Sequence, residues 1–354
     1  MSKGQSCRSR PPGFILAATL WIVAILALLG AYITGWVGDS LDRGFVRQSK
    51  VEGFRQAEEA RATALYWFST RFMSQRGIEL LNGADLTLAG TRDPFGSPIR
   101  GKTYLALDDR PYRFGPVQVH LQDARGLLNI NTGADIDWYR LLGNYGIRAE
   151  DRMPMIAKLH DYAEPGPYKR LNGAKSREYE DAGMQPPTGQ NLRTPWELRR
   201  VLDWNKIDPE GFGRSGLYEQ VTTVTAAGVN LNTAPPAILG LLPGVTDAAV
   251  ARIIQARQKQ PFLTTADVEA VSGVAIPRQD FGYFFLPLNS LRIGIMAPGN
   301  PLERVMAVHL TPAAAEQPWQ IDYIFDIPPF PDHSLRDSSD ILDLPDPTHP
   351  PASP

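Results

Sequence analysis

The sequence predicts an α+β protein in which a long amino-terminal helix leads into an antiparallel sheet and a large inserted α-helical domain interrupts that sheet. Three observations predict it. Residues 14–37 contain neither charge nor proline. Strand-like alternation with period two occurs before residue 131 and again after residue 284. Between these two stretches the apolar spacing changes to three and four, the period of helices.

Residues 1–13 read as a short basic leader, with Lys3, Arg8 and Arg10. Residues 14–37 follow as a transmembrane helix. These 24 residues measure about 36 Å as a helix, enough for a hydrocarbon core of about 30 Å that needs about 20 residues. A secretory signal has a shorter apolar region and ends in small residues. Here Tyr32, Ile33 and Trp36 continue the run past Ala31. The basic excess lies before the span, while Asp39, Asp42 and Arg43 follow it. The amino terminus is therefore expected in the cytoplasm, with the rest of this single-pass chain across the membrane.

Residues 38–131 read as an amphipathic stem and the first strands. Helical spacing runs from Gly38 to about Gly77, with Leu65, Phe68 and Phe72 on one face. Thr103–Leu107 reads as a strand. The segment GPVQVHLQDARGLLNIN reads as a hairpin: Val117, Val119 and Leu121 alternate, Asp123 to Gly126 turn, and Leu128 and Ile130 return.

Residues 132–283 read as the helical insertion. RTPWELRRVLDW predicts a helix with Thr194 as N-cap, Pro195 at the first position and Glu197 in the first turn. TDAAVARIIQARQ predicts another, with Ala249, Ile253, Ile254 and Arg257 at helical spacing. Asn230 and Asn232 are expected to fix the turn before it. Residues 284–327 return to strand period in three runs. Residues 328–354 are rich in Pro, Asp and Ser without periodicity and read as a disordered tail.

Composition narrows the chemistry. Charged residues make up 21% and the net charge is −2, whereas a dedicated nucleic-acid binder is more often basic. The single cysteine, Cys7, lies in the leader, so no intrachain disulfide forms. The five histidines are scattered, and neither H-E-x-x-H nor G-x-S-x-G occurs. The chain reads as a non-enzyme.

The junction RPPGF, a basic leader ending in Gly13 and Phe14 before an uninterrupted span, resembles the prepilin class. That resemblance implies cleavage between Gly13 and Phe14 by a prepilin peptidase, with methylation of the new amino terminus. Most members of the class carry Glu at the fifth mature position, where this chain has Ala18. A buried charge needs a partner, so a subunit lacking that acid fits the end of a filament.

Four motifs in order, LQDARGLLNIN, RLNGAKSREYEDAG, NLRTPWELRRV and GVNLNTAPPAILGLLPG, resemble the minor pseudopilin K family of the type II secretion system, over Gly13 to about Asp326. The resemblance implies a pilin-like sheet with a helical insertion, held in the inner membrane with its globular part in the periplasm. It implies a place at the tip of a pseudopilus, partnered by other minor pseudopilins, the major pseudopilin and inner-membrane lipid, in assembly of the pseudopilus and protein export.

The resemblance also implies calcium, held by acidic residues of the insertion. Asp161 and Glu164 stand at acidic positions of that pattern, while Gly166, Pro167 and Lys175 replace acids. Calcium takes six to eight oxygen ligands. Two readings stay open here: a degenerate calcium site at Asp161 and Glu164, completed by carbonyls and water, or ordinary polar residues on a loop. No other cofactor is implied.

One rival has its own motif. GVNLNTAPPAILGLLPGVTDAAVARIIQARQ resembles the helix-hairpin-helix modules of DNA-binding competence proteins, whose Gly-x-Gly hairpin offers backbone N–H groups to phosphate. Gly244 is present, but Thr246 replaces the second glycine and Asp247 follows. A structural use of the unit, with no nucleic acid bound, is the reading taken here. A membrane-anchored DNA-binding protein of an uptake machine is the alternative.

Overall fold

The computed structural model describes residues 14–80, 104–207, 216–224, 228–276, 282–329 and 342–343. The chain divides into two compact units, residues 1–53 and 54–354. The first contributes most of helix α1, Phe14–Thr70, whose apolar stretch is long enough and hydrophobic enough to cross a membrane and is not buried by protein. Leu20, Trp21, Leu26, Leu28 and Tyr32 are all exposed there.

The second unit is an α+β fold. Its main sheet has the order β12-β11-β10-β5-β4-β13. These strands are β4 (Asp108–Phe114), β5 (Val117–Asp123), β10 (Ser290–Met296), β11 (Glu303–Leu310), β12 (Trp319–Ile327) and β13 (Leu342–Asp343). All neighbours are antiparallel except β13, which runs parallel to β4. The central pair, β5 and β10, is adjacent in space, and the helical region lies between them in sequence.

Each face of that sheet is covered. Val117, Val119 and Leu121 of β5 join Leu291, Ile293, Ile295, Met306 and Val308 in a core with Ala60, Ala64, Leu65, Trp67 and Phe68 of α1. The alternate residues are polar yet buried: Gln118 is partly covered, and His120, Gln122 and Arg292 are enclosed. Buried polar groups need partners. Arg292 Nη1 donates to the carbonyl oxygen of Glu219 at 2.8 Å, and Gln122 Nε2 donates to that of Thr233 at 3.1 Å. Both acceptors belong to the helical region, so this second face is where the insertion seats.

The helical region has its own core, with Trp138, Leu141, Ile156, Tyr162 and Tyr179 among its fully buried side chains. Its elements are β6 (Leu128–Asn129), α2 (Asp135–Asn144), α3 (Ala149–Ala163), α4 (Ser176–Asp181), β7 (Val221–Thr222), β8 (Val229–Asn230), α5 (Pro236–Leu239), α6 (Asp247–Lys259), α7 (Thr265–Ser272) and β9 (Tyr283–Phe284). Two short parallel pairs, β6 with β7 and β8 with β9, tie it together.

Four expectations need correction. Helix α1 ends at Thr70, not Gly77. A tight hairpin follows, β1 (Met73–Ser74) and β2 (Gly77–Glu79), joined by β3 (Tyr104–Leu105) in a small sheet. Gly77 has φ +129°, and a Cβ there would lie 1.9 Å from the Leu105 carbonyl oxygen. The hairpin partner of β5 is β4, through the turn at Gly115 and Pro116, and not the segment after it. Asp123 to Gly126 opens a short 3₁₀ turn that delivers β6 to β7, because Asp123 accepts from the Arg125 N–H. PWELRR, Pro195–Arg200, is a 3₁₀ helix, and the Thr194 side chain does not cap it. Glu197 instead reaches back to the Arg193 N–H at 3.3 Å. Finally, Leu342–Asp343 lies in a strand beside Tyr112–Arg113, within the span read as a disordered tail. Pro328 and Pro329 are described without regular structure, and residues 330–341 and 344–354 lie outside the described residues.

Candidate functional site

Of the processing pair, Gly13 lies outside the described residues and Phe14 is the first residue of α1. Ala18 lies one turn on, half-exposed, in a stretch with no acidic residue in its first turn.

Asp161 and Glu164 are brought together, but with cations of the chain itself. Asp161 is buried at the end of α3. Its carboxylate accepts from the Arg170 backbone N–H at 3.1 Å and from Arg170 Nη1 at 3.1 Å. Arg170 Nη1 also donates to Glu164 Oε2 at 2.6 Å, and Nη2 donates to Oε1, so that pair is bidentate. The guanidinium of Arg170 holds the Glu164 carboxyl below its ordinary range. Gly173 allows this closure: a Cβ there would fall 1.8 Å from Asp161 Oδ2.

Lys175 completes the arrangement. Its ammonium donates to the carbonyl oxygens of Asp161 at 2.7 Å and Glu164 at 2.8 Å. Its backbone N–H donates to Glu178 Oε2 at 2.8 Å, and Lys169 pairs with the other oxygen. The Lys169 hydrogen bond, followed by that N–H, takes the partly exposed Glu178 carboxyl down to about 2. Both Asp161 oxygens and both Glu164 oxygens are occupied by Arg170, and the two carbonyls that could join them face an ammonium. Among the described residues no group of three or more His, Cys, Asp or Glu side chains is arranged to hold a metal ion. Arg170 escaped sequence reasoning; its only signal was a basic residue nine positions after a buried acid.

A repeat within the helical region also went unread. NINTGA (129–134) and NLNTAP (230–235) occupy equivalent places, each starting on the second residue of a two-residue strand and leading into a helix. Asn129 Oδ1 accepts from the Asn131 N–H, as Asn230 Oδ1 does from Asn232. Asn131 pairs with both backbone groups of Leu192, as Asn232 does with those of Phe262. Gly146 before α3 and Gly244 before α6 share φ +75°. Glu197 and Asp267 each turn back onto the backbone three and four residues earlier or onto a neighbouring hydroxyl there. Two helix-hairpin units thus stand in tandem, and the Asp161 to Glu178 loop is extra to the first. The repeated N-x-N-T was the signal.

The start of α6 in the second unit is capped by its own side chain. Thr246 Oγ1 accepts from the Ala249 N–H at 3.3 Å, taking an amide that an anion would need. Arg252 donates to the carbonyl oxygens of Val271 and Ser272. Arg257 is buried, donating to Leu231 and Ala234 oxygens at 3.2 and 2.7 Å, and burial pulls its pKa down.

A shallow cavity of about 390 Å³ gathers Ser290, His309 and Asp322 with Arg193 and Thr223. His309 Nδ1 pairs with Asp322 at 2.8 Å. Among the described residues no hydrogen bond joins Ser290 to His309.

With the geometry established, similarities to known proteins can be set beside it. A family model described as a helix-hairpin-helix motif matches residues 224–276, which is the second of the two units. No curated protein matches the chain. A chain in the crystal structure of the GspK-GspI-GspJ complex from the enterotoxigenic Escherichia coli type 2 secretion system is similar at 17% identity and a TM-score of 0.44, covering 79% of this chain and 99% of that one.

Proposed function

We propose that this protein is a minor pseudopilin of the K type, a non-enzymatic assembly subunit at the tip of a type II secretion pseudopilus. The observation that carries this reading is the construction of α1. One unbroken helix, Phe14–Thr70, begins at the expected processing junction, is apolar and exposed through its span, and ends as a core element of the sheet unit. Such a helix serves as an anchor in lipid before assembly and as a packing surface afterwards. Its removal from lipid is offset by close contacts with neighbouring helices, the terms that govern helix association in membranes.

Ala18 gives the subunit its position. Without a carboxylate at the fifth mature residue it offers no partner to the free amine of a further subunit. The helical insertion seated on the sheet adds a bulky head. The partners are other minor pseudopilins, the major pseudopilin and inner-membrane lipid. A prepilin peptidase acts once, between Gly13 and Phe14. The globular part lies in the periplasm.

Mass spectrometry of the amino terminus of the protein isolated from membranes tests this. The expected species starts at N-methyl-Phe14, and Gly13→Ala leaves the full leader in place. A chain that keeps its initiator methionine, or normal processing of Gly13→Ala, would overturn the reading. The second reading, a DNA-binding anchor, draws on the helix-hairpin-helix match. Against it stand the internal engagement of Arg252 and Arg257 and the Thr246 cap.

A further inference from the structure

The loop from Asp161 to Glu178 has the outline of an ion-binding loop but supplies its own cations. Buried acid, exposed acid and two inward carbonyl oxygens converge at one end of α3. In a metal loop such a collection of oxygens is held by a divalent ion, which removes their mutual repulsion and orders the backbone. Here Arg170 pairs with both carboxylates, and the Lys175 ammonium supplies the second positive charge, its N–H donors set beside the carbonyls.

We propose that Lys175 and Arg170 act as resident cations that order this loop without metal, so that the protein is calcium-independent where its resemblance implies calcium dependence. The proposal rests on the loop alone and stands whether or not the chain assembles in a pseudopilus.

Three features make the replacement complete. The Lys175 ammonium bridges Asp161 and Glu164, the two residues that the resemblance marks as ligands. It lies beside Asp161, whose carboxylate already accepts from Arg170, so both cations meet at the one buried acid. Glu178 then secures the Lys175 backbone through its N–H at 2.8 Å, which fixes where the ammonium stem starts. A divalent ion entering this space would meet an ammonium, and like charges at that distance repel strongly in a partly desolvated site.

The loop also carries its own reporter. Tyr168 and Leu171 are 90% and 89% exposed, so chymotrypsin reaches their side chains. Cleavage is then limited by the backbone, which the Arg170 and Lys175 contacts hold in place.

The experiment uses the full chain purified in detergent. Melting temperature and the rate of chymotrypsin cleavage after Tyr168 are measured with millimolar EDTA and with millimolar calcium chloride, and radioactive calcium binding is measured directly. The expected result is the same melting temperature and cleavage rate in both, with no stoichiometric calcium bound. Lys175→Met, which keeps the stem and removes the charge, should speed cleavage after Tyr168 by about tenfold or more, in either solution. A wild-type chain that binds calcium stoichiometrically, or melts earlier in EDTA, overturns the proposal even if the variant fails to fold. A folded Lys175→Met protein cleaved at the wild-type rate overturns it as well.

Discussion

Asn230 donates its side-chain N–H to Asp123 Oδ2 at 2.8 Å, joining the end of β5 to the start of the second helical unit 107 residues later. Asp123 is fully buried and accepts three further bonds. Thr233 Oγ1 reaches the same oxygen at 2.8 Å, while the Leu288 and Arg125 N–H groups reach Oδ1 at 2.9 and 3.1 Å. One carboxylate therefore receives donors from the exit of β5, the second unit and the approach to β10. Burial raises its pKa, and the four donors oppose that rise. The insertion leaves and re-enters the sheet at this one group.

Replacing Asp123 by Ala strands four donors in the interior. Each unsatisfied buried group costs about 1–3 kcal/mol, and even partial relaxation leaves a loss of at least about 3 kcal/mol. Thermal unfolding followed by circular dichroism on the full chain in detergent should show a midpoint lowered by roughly 5–10 °C. Asp123→Asn should also destabilise, because its amide turns two N–H groups toward existing donors. A shift below about 2 °C for both variants would show that the junction does not depend on this carboxylate.

Gly77→Ala tests the small hairpin that the sequence hid. The added Cβ would meet the Leu105 carbonyl oxygen at 1.9 Å and the residue would remain at φ +129°, so backbone must shift between β2 and β3. Strain of this kind costs at least about 1–3 kcal/mol before any packing loss. The expected readout is a lower melting midpoint together with earlier cleavage between β2 and β3. An unaltered midpoint would mean that the hairpin carries no stability.

Some of this architecture could be read directly and some could not. Val117, Val119 and Leu121 alternate, as do Leu291, Ile293 and Ile295 of β10, because one face of each strand meets the α1 core, whereas β11 is a continuous apolar run at Val305–Val308. Their existence was legible. Pairing was not. The hairpin partner of β5, DDRPYRF, carries charges and a proline and buries only its centre, so it lacks the alternation that marks a strand. Two-residue strands such as Leu128–Asn129 have no period at all and are held by the Asn129 and Asn131 side chains. The Asp161 and Glu164 pair was visible as acids, but its character depends on Arg170 and Lys175 folding back. Only three-dimensional closure over Gly173 reveals that.

DNA binding provides a sharp contrast with the structural reading of the second helix-hairpin unit. A gel shift with duplex DNA, titrated with salt, should show no complex whose affinity falls steeply with salt concentration. Arg257→Ala should leave that result unchanged and instead destabilise the fold by about 3 kcal/mol. It removes a nearly buried cation from the Leu231 and Ala234 carbonyls and from the side of Asp108. Tight, salt-sensitive binding that Arg257→Ala abolishes without loss of stability would favour the DNA-binding anchor.

Acid should open the Asp161 to Glu178 loop, and the sign follows from Glu164. Its carboxyl is held below the ordinary value of 4.5, first by the Arg170 hydrogen bond and further by the charges of Arg170, His160 and Lys175. A group whose folded pKa is depressed contributes fully above its unfolded value and loses that contribution as pH falls through the folded value. The Glu164–Arg170 brace is thus complete at pH 6 and lost on acidification below 4.5. Pepsin cleavage near Tyr168 and Leu171, normalised to an unstructured peptide of the same sequence at each pH, should accelerate as pH drops from 4.5 toward 2.5. Glu164→Gln lacks the titrating group, so its loop should be more open at pH 4.5 and change less over the same interval. Equal pH profiles for the two proteins would remove Glu164 from the account and leave the loop's order to Asp161 and Lys175.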